Sequence, residues 1–378
     1  GDLSAYTYNL IIDMSDKSQI KRSLLSPPGD TIQETLNEIN MSQAELAERI
    51  GRPKEKVNGI IKGREPISTD TAYRLEKVLG IPASFWINRE HEYRRKLFEV
   101  EQQEFLERCI EWLNEFPIRE MKKLGYLSNI NKKELLVNEL LNFFGVATPE
   151  QWKRIYVSEQ ASVSFRISLA NTKSPEATSA WLRIGDKQAD KLKVSNYDEK
   201  KFKDALIDIK KIAFKQPPDF ASQLQSLCAS CGVAVVYTKN LPKAPISGAT
   251  RWIHNTPMIQ LSGRYKTNDH FWFTFFHEAG HILLHGKKDI FLEEVEGTLL
   301  DEKKEDEANR FAEKWLLSVK QKEEIKKQGP SKNNIIYFSK KIQIHPGIIV
   351  GQLQHKKILD HSQCNDLKEK IFLFNEKK

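Results

Sequence analysis

Two histidines and a glutamate, spaced as His277-Glu278-x-x-His281, are the residues of this chain that most directly indicate chemistry. Residues four apart on a helix share a face, with about 5–6 Å between their Cβ atoms. Both imidazoles can therefore reach one zinc ion at about 2.0–2.1 Å. Glu278 lies one residue further round, poorly placed to ligate but able to approach a water in the open fourth position. Zinc lowers the pKa of such a water towards about 7, so the carboxylate can take its proton and deliver hydroxide to a carbonyl.

The residues around the motif decide between a metal site and an accidental match. A buried helix can hold histidines without a metal, but the aromatic residues in 271–276 would sink this helix into a core and exclude water. Gly280 costs roughly 1 kcal/mol relative to alanine inside a helix, which is more natural where another backbone must come close. We therefore predict a zinc site here.

A catalytic zinc ion needs a third protein ligand beyond the two histidines. His285 continues the same face, but each four-residue step drifts about 40° round a helix, so its side chain could point past the ion. A helix over 306–317 offers a carboxylate, since Glu307 lies at the edge of its apolar face. Burying Glu307 unpaired would be expensive, and a zinc ion would resolve that cost. The alternative, an exposed acidic helix N-terminus favoured by the macrodipole, fits Glu302 and Glu305.

Length and composition bound the class of protein. The chain has 378 residues, enough for two or three domains. Its net charge of +8 comes from 59 basic and 51 acidic residues, which suits a nucleic-acid contact on part of the surface. Four cysteines do not make a disulfide framework in a chain of this length. Neither a membrane span nor a signal peptide is visible, so we expect a cytoplasmic protein with no membrane partner.

Residues 27–97 have the pattern of a compact helical domain. Ser42-Gln-Ala-Glu45 is a capping box that opens a helix, and Gly51 closes it. Pro53 stands where the next helix should begin, and that helix stops at Gly63. Two short helices joined by a tight glycine turn form a helix-turn-helix unit. The alternative is a small protein-binding bundle with a solvated basic face.

Several segments of this region resemble the XRE-type DNA-binding domain of HigA-type antitoxins: Ser26-Pro-Pro-Gly-Asp-Thr-Ile, Leu46-Ala-Glu-Arg-Ile-Gly51, Ile60-Ile-Lys-Gly63 and Ile81-Pro-Ala-Ser-Phe-Trp-Ile-Asn88. In that family the third helix enters the major groove of double-stranded DNA. The resemblance and this docking geometry nominate four residues for the groove: Arg52, Lys54, Lys56 and Asn58. Gln43 and Lys62 are better placed for phosphates, which give affinity without sequence. A homodimer on a palindromic operator is expected, because two-fold operators match paired domains.

The C-terminal half resembles the ImmA/IrrE family of metallopeptidases. The likeness is carried by Ile259-Gln-Leu-Ser, by Phe273-Thr-Phe-Phe-His-Glu-Ala-Gly-His-Ile-Leu-Leu-His285 and by Glu307-Ala-Asn-Arg-Phe-Ala312. It supports His277, His281 and Glu307 as ligands of Zn²⁺ and Glu278 as the general base. It also implies a gluzincin-like core, proteolysis of a repressor as the typical activity, and frequent fusion to XRE domains.

Other features beside the motif leave alternatives open. Strands are predicted at 248–253 and 257–262, and a strand beside such a site could pair with an extended peptide. No residue is identified for stabilising the tetrahedral oxyanion, for which the candidates are His254, Arg264 and Tyr265. Cys228 and Cys231 form a C-x-x-C without a second pair, and we interpret them as core residues at a helix end.

The last segment partly repeats the first domain. Residues 338–354 can be laid over 46–62 with their apolar positions in register, which places Gly351 on Gly59. The segment is therefore either a second helix-turn-helix-like pair or a plain helical cap over the peptidase. We favour the cap.

These observations predict an α+β, mainly helical chain. It would join an all-α, lambda-repressor-like helix-turn-helix domain to a helical bridge, a gluzincin-like domain with a small sheet, and a helical cap. The expected divisions are an expression remnant and N-terminal arm (1–26), the DNA-binding domain (27–97), the bridge (98–150), the peptidase domain (151–330) and the cap (331–378).

Two functions follow from this architecture. We expect a transcriptional regulator with a zinc-dependent endopeptidase that cleaves a partner repressor or antitoxin, or itself. The alternative is a HigA-like antitoxin and autorepressor, whose zinc domain senses or binds a partner such as its cognate toxin with little or no proteolysis.

Overall fold

The computed structural model describes residues 22–158, 169, 172–286, 291–292 and 302–374. Most of the predicted N-terminal arm, residues 1–21, lies outside these ranges. The chain divides into two compact units, residues 1–111 with 130–138, and residues 112–129 with 139–378. The described residues are mainly helical with one small sheet, which confirms the predicted α+β class.

Among its described residues, the first unit contains five complete α-helices and the beginning of a sixth. The complete helices are α1 (Pro28–Glu38), α2 (Gln43–Ile50), α3 (Lys54–Ile61), α4 (Thr69–Leu79) and α5 (Ala83–Arg108). The side chain of Ser42 accepts from the Glu45 backbone N–H, which is one half of the predicted capping box, whereas the Glu45 side chain pairs with Arg49. Gly51 ends α2 in the left-handed region at φ 62°, where glycine avoids the steric cost of a Cβ. Pro53 is the N-cap of α3 and not its first helical residue, so this helix begins one residue later than predicted.

Buried apolar side chains from all five helices make the core of this unit. Leu36, Leu46, Leu75 and Trp86 are at most 1% exposed. The α2–α3 pair contributes further buried residues on its inner face, including Ile50, Val57 and Ile60. The outer face of α3 is thereby left to its polar residues.

The second unit begins with shorter helices and continues into the domain that contains the histidine motif. Its first helices are α6 (Ile118–Lys123), the end of α7 (Lys133–Phe144), α8 (Pro149–Tyr156), α9 (Pro175–Ala189), α10 (Glu199–Lys215) and α11 (Phe220–Ser230). The later helices are α12 (Asn268–His285), α13 (Glu302–Leu316), α14 (Val319–Gln328), α15 (Lys332–Ile342) and α16 (Pro346–His355). The predicted bridge at 98–150 is divided between the two units.

A four-stranded sheet lies in the second unit. Its strands are β1 (Ala234–Tyr237), β2 (Gly248–Ile253), β3 (Thr256–Leu261) and β4 (Phe291–Leu292), in the order β1-β3-β2-β4. β1 runs parallel to β3, whereas β2 is antiparallel to both β3 and β4. The two predicted strands, β2 and β3, therefore lie inside the sheet. Within the described residues, β4 forms the edge next to β2.

Helix α12, which carries the histidine motif, is sunk into the core as predicted. Phe271, Trp272, Phe275 and Phe276 are at most 5% exposed. A Cβ at Gly280 would lie 3.1 Å from Cδ1 of Phe311 on α13. The close neighbour of Gly280 is thus the Phe311 side chain and not the predicted backbone, and the glycine lets α12 and α13 pack tightly.

The C-terminal pair α15–α16 has the turn geometry of the helix-turn-helix pair α2–α3. Gln343 ends α15 at φ 53° and ψ 50°, close to Gly51 at φ 62° and ψ 46°. His345 precedes α16 at φ −58° and ψ 135°, close to Pro53 at φ −58° and ψ 143°. However, Ile348, Ile349, Val350 and Leu353 of α16 are at most 1% exposed. Because α16 is packed against α12, this pair is a cap over the motif helix and its second helix presents no groove-reading face.

Gly351 allows α16 to approach the start of α12. A Cβ at this position would lie 2.6 Å from both Cβ and Oδ2 of Asp269, which is itself buried. We expect Gly351→Ala to lower the free energy of unfolding by about 1–3 kcal/mol, the usual cost of overpacking a core. Urea denaturation of the purified chain measures it. Lys340→Ala, on the exposed face of α15, is the control and should change stability by less than about 0.5 kcal/mol. Equal stability of the two variants would contradict this packing argument.

Candidate metal centre and nucleic-acid interface

Three donor side chains converge between α12 and α13. The Nε2 atoms of His277 and His281 are 3.0 Å apart. Oε2 of Glu305 lies 3.2 Å from Nε2 of His277, and its Oε1 lies 3.4 Å from Nε2 of His281. The side chain of Glu305 is 18% exposed and those of both histidines are at most 2% exposed. Three potential ligand atoms, one from each side chain, therefore lie close together in a site that is largely shielded from water.

The carboxylate at this point belongs to Glu305 and not to the predicted Glu307. On α13, Glu305 continues the inward stripe of Ala308 and Ala312, at the spacing i, i+3 and i+7. Glu307 is two residues further along α13, a rotation of about 200° about the helix axis, so its side chain lies on a different face. Its side chain is 40% exposed, and its Oε2 lies 3.0 Å from Nε2 of His285. The sequence analysis assigned Glu305 to an exposed N-terminus, although its spacing from the two buried alanines could have identified it.

Hydrogen bonds behind the histidines define their tautomers. Nδ1 of His277 lies 3.0 Å from Oδ1 of Asn309, an acceptor, so Nδ1 carries the proton. Nε2 of His285 donates to the carboxylate of Glu307, which leaves Nδ1 of His285 to accept from Nδ1 of His281 at 3.0 Å. Both motif histidines thus keep an unprotonated Nε2 directed at the shared point. Such outer partners orient metal-binding histidines and increase their basicity.

The charge states suit a divalent metal. Burial lowers the pKa of His281 to about 4, so its imidazole is neutral at pH 7. Burial alone would raise the pKa of Glu305, but the adjacent side chains of His277 and His281 outweigh it and lower that pKa to about 2. Two imidazoles and one carboxylate are a typical donor set of a catalytic zinc site. The residues present therefore fit the predicted ion.

Glu278 lies on the side of α12 that faces the sheet. It is fully buried, and its Oε2 accepts from Oγ1 of Thr250 on β2 at 2.5 Å. A Cβ at Gly248 would lie 2.6 Å from Oε1 of Glu278 and 2.6 Å from Cγ2 of Thr274. A glycine is thus required for β2 to come this close to the carboxylate. Thr250 cannot be recognised as a site residue from the sequence, because only the strand pairing brings it to α12.

One aromatic side chain covers a motif histidine. The ring of Phe291 on β4 stacks on His281 with 3.8 Å between centroids, which shields the histidine from water. Of the oxyanion candidates, His254 lies in the β2–β3 turn at φ 54°. Nη1 of Arg264 donates to the carbonyl of Pro245, and Tyr265 stacks on His270. The oxyanion-stabilising group stays a prediction.

The residues predicted to contact DNA differ in their exposure and in their side-chain partners. Lys54, Lys56 and Lys62 are exposed on or just after α3. The guanidinium of Arg52 pairs with the carboxylate of Asp70 on α4. These DNA contacts stay predictions, but Arg52 would have to exchange a partner to reach a base.

A polar network links the remaining nominated residues. Nδ2 of Asn58 donates to Oε1 of Gln43 at 3.3 Å, and Gln43 donates to Oε1 of Gln33 at 2.6 Å. Nη2 of Arg64, a residue absent from the sequence prediction, donates to Oδ1 of Asn58 at 3.1 Å. The amide of Asn58 is therefore oriented before any ligand arrives.

Two further features agree with the sequence analysis. Cys228 and Cys231 are buried, and burial raises the pKa of the Cys228 thiol well above its usual range. They are core residues. In the described part of the chain, no helix combines the length and apolar character needed to cross a membrane.

Comparisons with known proteins agree with both resemblances. Residues 32–86 match the helix-turn-helix family model, and residues 228–339 match the model of the IrrE N-terminal-like domain, peptidase family M78. An uncharacterized HTH-type transcriptional regulator, YddM of Escherichia coli (strain K12), is 31% identical over 61 residues, which are 16% of this chain and 65% of that protein. An addiction module antidote protein of the HigA family from Coxiella burnetii is 28% identical, with 24% of this chain and 91% of that chain covered and a TM-score of 0.19. The chain thus contains an N-terminal segment that matches helix-turn-helix domains and a C-terminal segment that matches the IrrE N-terminal-like domain of peptidase family M78.

Proposed function

We propose that this chain is a DNA-binding transcriptional regulator whose C-terminal domain is a zinc-dependent endopeptidase. Its substrate would be a partner repressor or antitoxin, or the chain itself. The observation that carries the proposal is the convergence of His277, His281 and Glu305, with the buried carboxylate of Glu278 on the same helix as the two histidines.

In this proposal His277, His281 and Glu305 hold Zn²⁺, with Glu305 replacing the predicted Glu307. When bound, zinc would polarise a peptide carbonyl and supply a nucleophile at neutral pH. The tautomers set by Asn309 and His285 keep both Nε2 atoms available for this ligation.

Glu278 acts as the general base and then as the general acid. Thr250 anchors one carboxylate oxygen of Glu278, so the other can accept the proton of the attacking water. The same oxygen then returns the proton to the leaving amine nitrogen when the peptide bond breaks. Burial in a site lined by Phe291 keeps bulk water from competing for that proton.

The alternative of a HigA-like antitoxin with an inactive zinc domain is not favoured. A domain that only senses or binds a partner does not need a general base. Here Glu278 is held by Thr250, and Gly248 provides the space for that contact.

The test uses the full chain and the repressor or antitoxin encoded beside its gene. We expect about one zinc ion per chain by elemental analysis, and a discrete cut in the partner or in the chain itself after incubation. A metal chelator should prevent the cut, and added zinc should restore it. Absence of bound zinc, or cleavage that persists in chelator, would refute the proposal.

DNA binding by the first unit has its own prediction. We expect Lys62→Ala to weaken binding to the chain's own promoter DNA and to nonspecific DNA alike, because a phosphate contact carries no sequence information. The slope of log K against log salt should fall by about 1 per subunit. Fluorescence anisotropy over a salt series measures both quantities. Lys77→Ala, exposed on α4 outside the helix-turn-helix pair, is the matched control and should leave the slope unchanged.

A further inference from the structure

A chain of side-chain hydrogen bonds runs from the turn after α3 to helix α1. Nη2 of Arg64 donates to Oδ1 of Asn58 at 3.1 Å, and Nδ2 of Asn58 donates to Oε1 of Gln43 at 3.3 Å. Nε2 of Gln43 donates to Oε1 of Gln33 at 2.6 Å, and Nε2 of Gln33 donates to Oδ1 of Asn37 at 2.9 Å. The chain thus joins α3 to α2 and α1, and every donor in it points in the same direction.

Arg64 determines this direction. A guanidinium has five N–H donors and no acceptor, so an amide that bonds to it must present its oxygen. The nitrogen of Asn58 is then directed at Gln43, which must present its oxygen in turn. By itself an amide can rotate by 180° about its last torsion, since that torsion is roughly two-fold. The bond from Arg64 removes this freedom from Asn58.

The backbone after α3 holds Arg64 beside Asn58. Gly63 has φ 68°, in the left-handed region that glycine adopts readily, and the chain turns there. The backbone N–H groups of Arg64 and Glu65 both donate to the carbonyl of Gly59, at 2.8 and 3.1 Å. A Cβ at Gly59 would lie 2.6 Å from Cγ of Glu65, so the absence of a side chain leaves room for this turn. The position of Arg64 is therefore set by the backbone as well as by its side-chain bond.

The amide of Asn58 keeps one donor and one acceptor for a ligand. Its nitrogen carries two hydrogens, of which Gln43 takes one, and its oxygen has two lone pairs, of which Arg64 takes one. Lys54 and Lys62, four residues before and after Asn58, are both exposed. Residues spaced by four share a helix face, so the amide lies between two cations that suit DNA phosphates.

Adenine is the base that matches this amide. In the major groove adenine presents N7 as an acceptor and its N6 amino group as a donor, whereas guanine presents two acceptors. Thymine offers only an acceptor and cytosine only a donor. An amide with one spare hydrogen and one spare lone pair can therefore make two bonds only with adenine. Rotation of the amide by 180° in the same docked position would oppose oxygen to N7 and nitrogen to the amino group, and both bonds would be lost.

We infer that Arg64 is a positioning residue for base recognition. By fixing the amide of Asn58, it makes that residue select adenine in the major groove of double-stranded DNA. The inference rests on the proposed function, because it applies to DNA binding by the first unit. Arg64 itself does not have to touch a base for this role.

The experiment first selects bound sequences from a randomised duplex library with the full chain. We expect at least one position of the selected sequence to require adenine, and this requirement to be absent from sequences selected by the Asn58→Ala variant. Fluorescence anisotropy then measures single duplexes that carry an analogue at this position. 7-Deazaadenine lacks the N7 acceptor, and unsubstituted purine lacks the N6 amino group. Each should weaken binding of the wild-type chain by roughly two- to tenfold, since each removes one hydrogen bond.

Substitutions of Arg64 separate its orienting role from its charge. Lysine also donates without accepting, so Arg64→Lys should keep the preference for adenine over guanine within about threefold of wild type. Glutamine can either donate or accept, so Arg64→Gln leaves the direction open and should lower that preference by roughly tenfold. The preference is a ratio of two dissociation constants at one salt concentration, so a general loss of phosphate attraction cancels from it. Arg95→Gln, at an exposed arginine of α5, is the matched control and should keep the preference.

The outcomes separate this inference from the proposed function. The inference is overturned if the chain binds DNA without an adenine requirement that depends on Asn58. It is also overturned if Arg64→Gln keeps the wild-type preference, or if the Lys and Gln variants lose it equally. All three results leave DNA binding by the chain standing, whereas failure of the wild-type chain to bind any duplex at low salt overturns both. Circular dichroism checks the fold of each variant, and the base analogues test the contact on the unaltered chain.

Discussion

Glu278→Gln is expected to keep about one zinc ion per chain and to lower the cleavage rate by about 10²–10⁴-fold. Glutamine has nearly the same shape as glutamate and can keep the contact with the Thr250 hydroxyl, but it cannot accept the proton of a water. The proposed metal donors His277, His281 and Glu305 are untouched by the substitution. Loss of turnover without loss of metal would therefore assign Glu278 to proton transfer.

The measurement is the rate of cleavage of the partner protein, followed by gel electrophoresis, with zinc content determined on the same samples. Glu302→Gln provides the control, because Glu302 is an exposed carboxylate at the start of α13. It should cleave at the wild-type rate. If the Glu278→Gln variant cleaved as fast as this control, Glu278 would not be the base.

Three consecutive acids at the start of α13 should differ sharply in their effect on zinc affinity. We expect Glu305→Gln to weaken zinc binding by more than about 100-fold, because a direct ligand is lost. Glu307→Gln should weaken it by about 10–100-fold, the usual effect of removing an outer partner, because Glu307 reaches His281 only through His285. Asp306→Asn should have no effect, since its exposed carboxylate pairs with Arg310.

Competition with a zinc chelator at pH 7 gives the three dissociation constants under one condition. Circular dichroism of the metal-free variants checks that each remains folded. The test is whether the loss of zinc affinity decreases in the order Glu305→Gln, Glu307→Gln, Asp306→Asn. A larger loss of zinc affinity in Glu307→Gln than in Glu305→Gln would instead support Glu307, the residue predicted from the sequence, as the third ligand.

The carboxylate next to the two histidines shows where the structure differs from the sequence-based prediction, and why. Both Glu305 and Glu307 stand near the start of an amphipathic helix, and the apolar pattern alone places Glu307 at the edge of its buried face. The choice depends on how α13 is rotated about its axis against α12, which is set by the packing of Phe311 on Gly280. The spacing of Glu305 from Ala308 and Ala312 is compatible with the inner face, but the apolar pattern of the helix does not by itself fix this rotation.

The C-terminal segment shows a different limit. Its apolar positions match those of the helix-turn-helix pair, and the turn geometry of α15–α16 does repeat that of α2–α3. Yet a helix reads DNA only if one face is open to solvent, and α16 is buried against α12. The apolar pattern predicts the turn between the two helices. The element that packs on the second helix determines whether that helix can contact DNA.

The sequence by itself determined the features that depend on residues close together in the chain. These include the histidine pair on one helix face, the glycine-closed turn between α2 and α3, and the aromatic burial of α12. Only the tertiary structure decided which carboxylate joins His277 and His281, that Thr250 holds Glu278, and that Phe291 covers His281. The physical reason is that the helical backbone fixes the relative positions of side chains four residues apart. Contacts between separate elements depend instead on how those elements pack, which a local sequence pattern does not determine.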